Sequence, residues 1–268
     1  MTDRPTQDPA APAPPATRPT RPRRTLAGYL FMPLLLLAVL LALAWWVQRR
    51  PLDSIESRVL TVANIAQRTG EHVSLTVVST LLVLVIAVPL GIVLTRRWAR
   101  PITPFTVAVF NIGVAVPSIG FVALFALIWD IGFWPAVAAL VAYAALPVLR
   151  NTMVGLRQVD PTVIESARGM GMGSGLVLLR IELPLAVPVI LAGIRTALVI
   201  NVGSAAVATF IGAGGLGSLI VTGSVQVRPL ITLVGAVLTA VLALLIDYLA
   251  GLAEDRLRPR GLSDNSEE

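Results

Sequence analysis

The sequence contains no lysine and no cysteine, a single histidine (His72), and charged residues at only 13% of its 268 positions. Each scarcity closes a class of function. A phosphate-binding loop of the form G-x-x-x-x-G-K-[ST] needs its lysine, so the chain has no Walker A motif. Without cysteine there is no disulfide framework, no thiolate zinc site and no thiol nucleophile. One histidine leaves no histidine metal cluster and no obvious Ser-His-Asp triad, and the sequence suggests no metal site of any kind.

Charge is scarce against any soluble standard. A soluble domain carries about 25% charged residues and about 45–50% apolar ones. Here the hydrophobic share is 56% and the mean hydropathy +0.82, which excludes a soluble globular enzyme. All 21 basic residues are arginine, and the net charge is +6. Such a surplus suits either nucleic acid or a membrane, and the positions of the arginines decide between them.

Residues 1–25 are rich in proline and arginine and poor in large apolar side chains. They cannot bury enough surface to offset ordering entropy, so the segment reads as a disordered tail. From Leu26 to Val47 the chain is uncharged, and about 20 such residues cross a bilayer. A cleaved leader is the alternative, because Ala42-Leu43-Ala44 offers a small-residue site and Arg23-Arg24 a twin-arginine pair. The run is long for a leader. Further apolar spans fall near residues 73–95, 104–130, 133–149, 185–208 and 229–252, six in all, or five if the first is cleaved. The predicted class is an all-α polytopic membrane protein.

With a cytoplasmic N-terminus, fifteen arginines lie inside and five outside, Arg195 being within a span. That split obeys the positive-inside rule, with one local conflict at Arg49-Arg50, just outside the first span. A nucleic-acid binder would gather its arginines on one soluble face with interleaved aromatics. Here they are spread over every inner loop, so no nucleic-acid partner is expected and the bilayer is.

One inner loop is long, about 150–184. Asp160-Pro161 reads as a helix start, an N-cap carboxylate followed by a proline whose missing N–H costs nothing there. Val163, Ile164, Ala167 and Met170 share a face at helical spacing. Gly169, Gly171 and Gly173 should end that helix, and a second short helix, about 174–182, runs to Leu183-Pro184. A short amphipathic helix lying along the membrane wants a partner groove.

This loop resembles the one shared by permease subunits of binding-protein-dependent ABC importers, of the form E-A-A-x3-G-x9-I-x-L-P. Glu165, Ser166 and Ala167, then Gly171, then Ile181, Leu183 and Pro184 match its spacing, with Ser166 in place of the first alanine. The resemblance extends over about residues 70–252. His72-Val73-Ser74-Leu75-Thr76 and Val88-Pro89-Leu90-Gly91 resemble the start of such a permease domain, while Pro117-Ser118-Ile119, Tyr143-Ala144-Ala145-Leu146-Pro147, Ala192-Gly193-Ile194-Arg195 and Phe210-Ile211-Gly212-Ala213-Gly214-Gly215-Leu216-Gly217 are similar to the permeases for glycine betaine, carnitine, choline and proline-betaine.

That resemblance implies an architecture and a set of partners. The tail 1–25, cytoplasmic by the arginine split, and the extra transmembrane helix 26–47 lie outside the resemblance and are followed by an extracytoplasmic loop, 48–72. Residues 73–252 form a five-helix permease domain with a coupling loop at 155–184, and 253–268 is a cytoplasmic tail. The loop helix docks on a separate ATPase, with Glu165 making polar contact and Gly171 permitting the turn. Two ATPase subunits, a second permease copy or paralogue, and an extracytoplasmic substrate-binding protein complete the assembly in a bacterial plasma membrane. The chain itself is not an enzyme and binds no cofactor. A methionine-type or other small-solute permease, a secondary transporter and a simple membrane anchor are the other readings.

Residues inside the spans supply candidates for the transport path. Pro117-Ser118 interrupts the third span, where a broken helix can line a cavity, with Asn111 nearby. Arg195 lies near mid-span, where an isolated charge costs about 2.5–3.5 kcal/mol, so it should face protein or water, pair with Asp247, or meet a substrate carboxylate. Asn201 lies further along the same span. Asp130, Trp134 and Arg228 flank outer loops and either meet the binding protein or anchor spans. Gly212–Gly217 satisfies G-x-G-x-x-G but lacks the strand and the acidic residue of a dinucleotide site, so a bend or re-entrant turn is expected instead. With aromatics at 6%, a quaternary-ammonium cage is expected on the binding protein.

Overall fold

The computed structural model describes residues 26–257. The predicted tail 1–25 lies outside the described residues, as do 258–268, while 253–257 continue the last helix instead of forming a tail. The described chain is helical throughout. Its helices are α1 (Leu26–Gln48), α2 (Ser54–Val59), α3 (Val62–Thr95), α4 (Thr103–Ala115), α5 (Ser118–Ile128), α6 (Phe133–Arg157), α7 (Pro161–Gly169), α8 (Ser174–Val177), α9 (Leu183–Ala205), α10 (Gly217–Val225) and α11 (Pro229–Leu257).

Five helices are long and apolar enough to cross a membrane: α1, α3, α6, the continuous helix Ser174–Ala205, and α11. The predicted span 104–130 is instead two helices, α4 and α5, meeting at 96°. At 13 and 11 residues they are about 20 and 17 Å long, too short to span alone. Proline sterics explain the corner. Val116 precedes Pro117 and is driven to the extended region, φ −82° and ψ 129°, so α4 must stop before it.

The predicted extracytoplasmic loop 48–72 is largely helical. Asp53 caps α2, its carboxylate accepting from the N–H groups of Ile55 and Glu56, and the Glu56 side chain accepts from the Asp53 N–H in return. Ile55, Val59, Leu60 and Ile65 cover Leu216, Leu219 and Ile231. The 34 residues of α3 make it about 50 Å long, so it outreaches the hydrocarbon and begins well before residue 73.

In the bundle α6 is central. It lies between α3 and α9, with α4 and α5 on a further flank, α11 against α9, and α10 and α1 against α11. In lipid, apolar burial does not pull helices together, so small residues and close approach hold them. A Cβ on Gly91 would sit 2.8 Å from the Thr152 side chain, and one on Gly193 would sit 2.6 Å from Asn151 Cβ. The core runs in two layers along this contact, one built on Leu75, Val137 and Leu140, the other on Val83, Leu94, Leu149 and Ala197.

Candidate coupling site and transport path

α7 is a nine-residue helix that follows α6 at the end of the bundle and is fastened at both of its ends. At its start the Asp160 carboxylate accepts from the Thr162 N–H and hydroxyl, both at 2.8 Å, which holds its carboxyl below the ordinary carboxylate value. At its finish Gly171 stands at φ +87°. Its N–H donates to Arg168 C=O and the Met172 N–H to Ala167 C=O, a Schellman cap. Of the three glycines expected to stop the helix, Gly171 alone adopts a positive φ.

The predicted apolar face of α7 divides. Ala167 is buried, Ile164 is partly covered, and Val163 and Met170 stay exposed at 41% and 76%. Glu165 and Ser166 are exposed beside them, the Ser166 hydroxyl bonding back to Thr162 C=O. One residue anchors the helix inward. A carboxylate and two large apolar side chains face outward with nothing over them among the described residues.

Beyond the Gly171 turn the chain does not break at Pro184 as the sequence suggests. It runs as one helix from Ser174 to Ala205 through a π-helical turn, Leu178–Glu182. There the Leu183 N–H reaches back five residues to Leu178 C=O, and the wider turn accommodates the proline without ending the helix. Ile181 and Leu183 are partly covered, Pro184 is exposed, and the residue between the first two is buried. That residue is Glu182, whose carboxylate meets Arg96 Nη2 at 2.5 Å and Nη1 at 3.4 Å. Arg96 ends α3 and also donates to Thr95 Oγ1 and Ile92 C=O. Thus a charge pair ties the helix after the loop to α3.

The transport-path candidates do not converge. Asn111 on α4 accepts from Arg150 Nη2 at 2.6 Å. Pro117 and Ser118 form the α4–α5 corner. Arg195 pairs with Asp247 on α11 through two bonds of 2.6 and 2.7 Å, with Glu254 at 3.7 Å. Its guanidinium is therefore engaged by protein carboxylates. Asn201 is fully enclosed and its Nδ2 donates to Thr80 Oγ1 on α3 at 3.0 Å, so its amide lies in the α3–α9 contact rather than an open path. A cavity of about 600 Å3 between α3, α4, α5 and α6, lined by Phe110, Phe121, Trp129 and Trp134 among others, includes none of the five.

The matches to known proteins follow this geometry. Residues 87–259 match the family described as binding-protein-dependent transport system inner membrane component. The chain belongs to that family. It is 40% identical over 195 residues to the choline transport system permease protein OpuBB of Bacillus subtilis (strain 168), covering 73% of this chain and 89% of that one. It is 37% identical over 224 residues to the osmoprotectant import permease protein OsmY of Salmonella typhimurium, covering 83% and 93%. Among solved structures it is similar to the MetNI methionine ABC transporter in inward-facing conformations, at 23% identity and TM-score 0.65, over 73% of this chain and 96% of that one. At that identity the likeness shows the fold, an ABC transporter permease.

Two features of this permease escape the sequence. One is the Arg96–Glu182 pair, 86 positions apart, which no local pattern announces. The other is a clasp at the opposite end. Gly212, Gly214 and Gly215 all have positive φ and turn the chain between α9 and α10. The Gly215 N–H donates to Glu71 Oε2 at 2.9 Å and the Leu216 N–H to His72 Nδ1 at 3.3 Å. Because an amide can only donate, His72 Nδ1 is the acceptor, and Nε2 carries the proton toward Val202 C=O at 2.9 Å. The literal G-x-G-x-x-G thus spends its amides on side chains of α3. A lone histidine opening a span, preceded by a glutamate, was the available signal.

Proposed function

We propose that this permease moves a betaine-type osmoprotectant, such as glycine betaine, choline or carnitine, into the cell as the membrane half of an ATP-driven importer. The observation that carries the reading is the outward face of α7, with Glu165, Val163 and Met170 presented around a buried Ala167. A rigid, capped helix with an open apolar and acidic face is suited to a groove on a separate ATPase. Closure of two ATPases would drive two such helices, one on each of two permeases. Both termini and α7 then lie in the cytoplasm, and the end bearing α2 and α10 faces the binding protein. The names of the relatives above support the substrate class over a methionine-type solute. Most described arginines near span ends lie on the α7 side, which supports the orientation.

The test is reconstitution of the complete importer in vesicles with labelled glycine betaine. Uptake that needs both the ATPase subunits and ATP is expected. Uptake without either overturns the mechanism, and uptake of an unrelated solute alone overturns the substrate class.

A further inference from the structure

At the bundle end that carries α7, a cavity of about 520 Å3 opens between the start of α4 and the last turns of α6. Arg100, Arg150 and Arg157 surround it, over walls that include Val107, Met153 and Val154. No ion pair among the described residues involves these three arginines. Between Glu71 and Asp160 the sequence holds a single acidic residue, Asp130, in the loop at the opposite end of the bundle. Arg150 is turned toward the span by its bond to Asn111. The Thr103 hydroxyl at the mouth is occupied by Leu94 and Ala99 carbonyls, so what the pocket offers a ligand is guanidinium charge.

The level of the pocket identifies what fills it. Val154 on its wall is exposed, as are Trp98, Ile102 and Phe105, the chain neighbours of the lining residues Arg100, Thr103 and Pro104, with Trp98 at 70%. A tryptophan beside arginines at a helix end marks the plane where hydrocarbon meets headgroups. Arg150 and Arg157 are two helical turns apart, about 10 Å, so the charge runs from the edge of the hydrocarbon outward through the headgroup layer. A soluble anion has no use for the apolar walls. A lipid with a phosphodiester and acyl chains uses both the walls and the charge, and guanidinium forks suit phosphate oxygens.

We propose that this pocket seats the headgroup of an anionic phospholipid, with its phosphodiester among Arg100, Arg150 and Arg157 and its chains beginning along Val107 and Val154. Arg157 closes α6 three residues before the Asp160 cap of α7, so an occupied pocket steadies the helix that leads into the coupling loop. The site does not depend on the solute transported. Which leaflet supplies the lipid does rest on the orientation given above.

The experiment reconstitutes the complete importer in nanodiscs of phosphatidylcholine with a minority of phosphatidylglycerol, then counts retained lipids by native mass spectrometry. Wild type should retain phosphatidylglycerol in preference to phosphatidylcholine. The preference should fall about fivefold for each arginine neutralised, so that R100Q/R157Q loses most of it and R100K/R157K keeps most of it. No preference in wild type, or an undiminished one in R100Q/R157Q, overturns the proposal. Displacement of the lipid by millimolar inorganic phosphate overturns it in favour of a soluble anion. If R100Q/R157Q does not assemble, a photoactivatable phosphatidylglycerol on wild type decides: crosslinks to the peptides carrying Arg100 and Arg157 are expected, and crosslinks confined to other segments overturn the site.

Discussion

Gly171 and Gly193 show two opposite reasons for a glycine. Gly171 is at φ +87° with open space where a Cβ would go, so its constraint is conformational. A side chain there costs about 1–3 kcal/mol of backbone strain, least for asparagine. ATP-driven uptake should therefore fall in the order Gly, Asn, Ala, Val at position 171, while the amount of assembled permease in the membrane stays close to wild type. Gly193 has ordinary dihedrals but no room, with Asn151 Cβ 2.6 Å and Pro147 C=O 3.0 Å from the Cβ it lacks. Gly193→Ala should lower stability by about 1–3 kcal/mol, read as a lower melting temperature of the detergent-solubilised complex. Gly173→Ala, with neither constraint, should leave that temperature unchanged. Asp160 gives a pH statement. The Thr162 N–H and hydroxyl lower its carboxyl from the ordinary 3.8, so its cap is fully present above that value and is lost as the pH falls through the lower folded one. Between about pH 6 and 8 α7 should keep its cap. Asp160→Asn should transport as wild type, and Asp160→Ala should transport less at every pH in that range.

At the scale of the element, the π-turn and the Arg96–Glu182 pair belong together. Pro184 removes one hydrogen-bond donor from the helix, and the wide turn before it absorbs that loss without ending the helix. The same turn carries Glu182 inward to meet α3. In the mechanism proposed above, a push on α7 would reach α3 through this charge pair as well as through the α6–α9 contact. Removing one partner strands a charge that the other no longer neutralises, at a cost of about 2–3 kcal/mol because Arg96 is partly hydrated. Glu182→Ala should lower both melting temperature and uptake. The double variant Arg96→Ala/Glu182→Ala should cost less than the sum of the two single changes, which a double-mutant cycle on melting temperature measures.

At the scale of the whole molecule, the distribution of charge sets how the chain sits in the bilayer, and the absence of cysteine makes that directly measurable. Single cysteines at Ser166 on α7 and at Gln226 after α10 are exposed and lie at opposite ends of the bundle. A membrane-impermeant maleimide should label Gln226→Cys but not Ser166→Cys in right-side-out vesicles, and the reverse in inverted ones. Labelling of both from one side is incompatible with an odd number of crossings between them.

The class of the molecule was legible from composition. With 56% hydrophobic and only 13% charged residues, the chain reads as a membrane protein. α7 was legible too, since Asp160, Pro161, Ala167 and Gly171 specify its start, buried residue and end by local chemistry. The partners of Glu182, Arg195 and Asn201 were another matter. Each partner belongs to a different helix, 86, 52 and 121 residues away in sequence. Helical period says which way a side chain points, and it leaves open what stands opposite. The apolar runs were enough to mark the segments of α1, α3, α6, α9 and α11 as candidate crossings, and local chemistry was enough to mark the start and end of α7. Tertiary structure alone decided which charges are neutralised by which neighbours, because that depends on how closely α3, α6, α9 and α11 approach. It also decided that three arginines with no carboxylate among them share one pocket at the membrane surface.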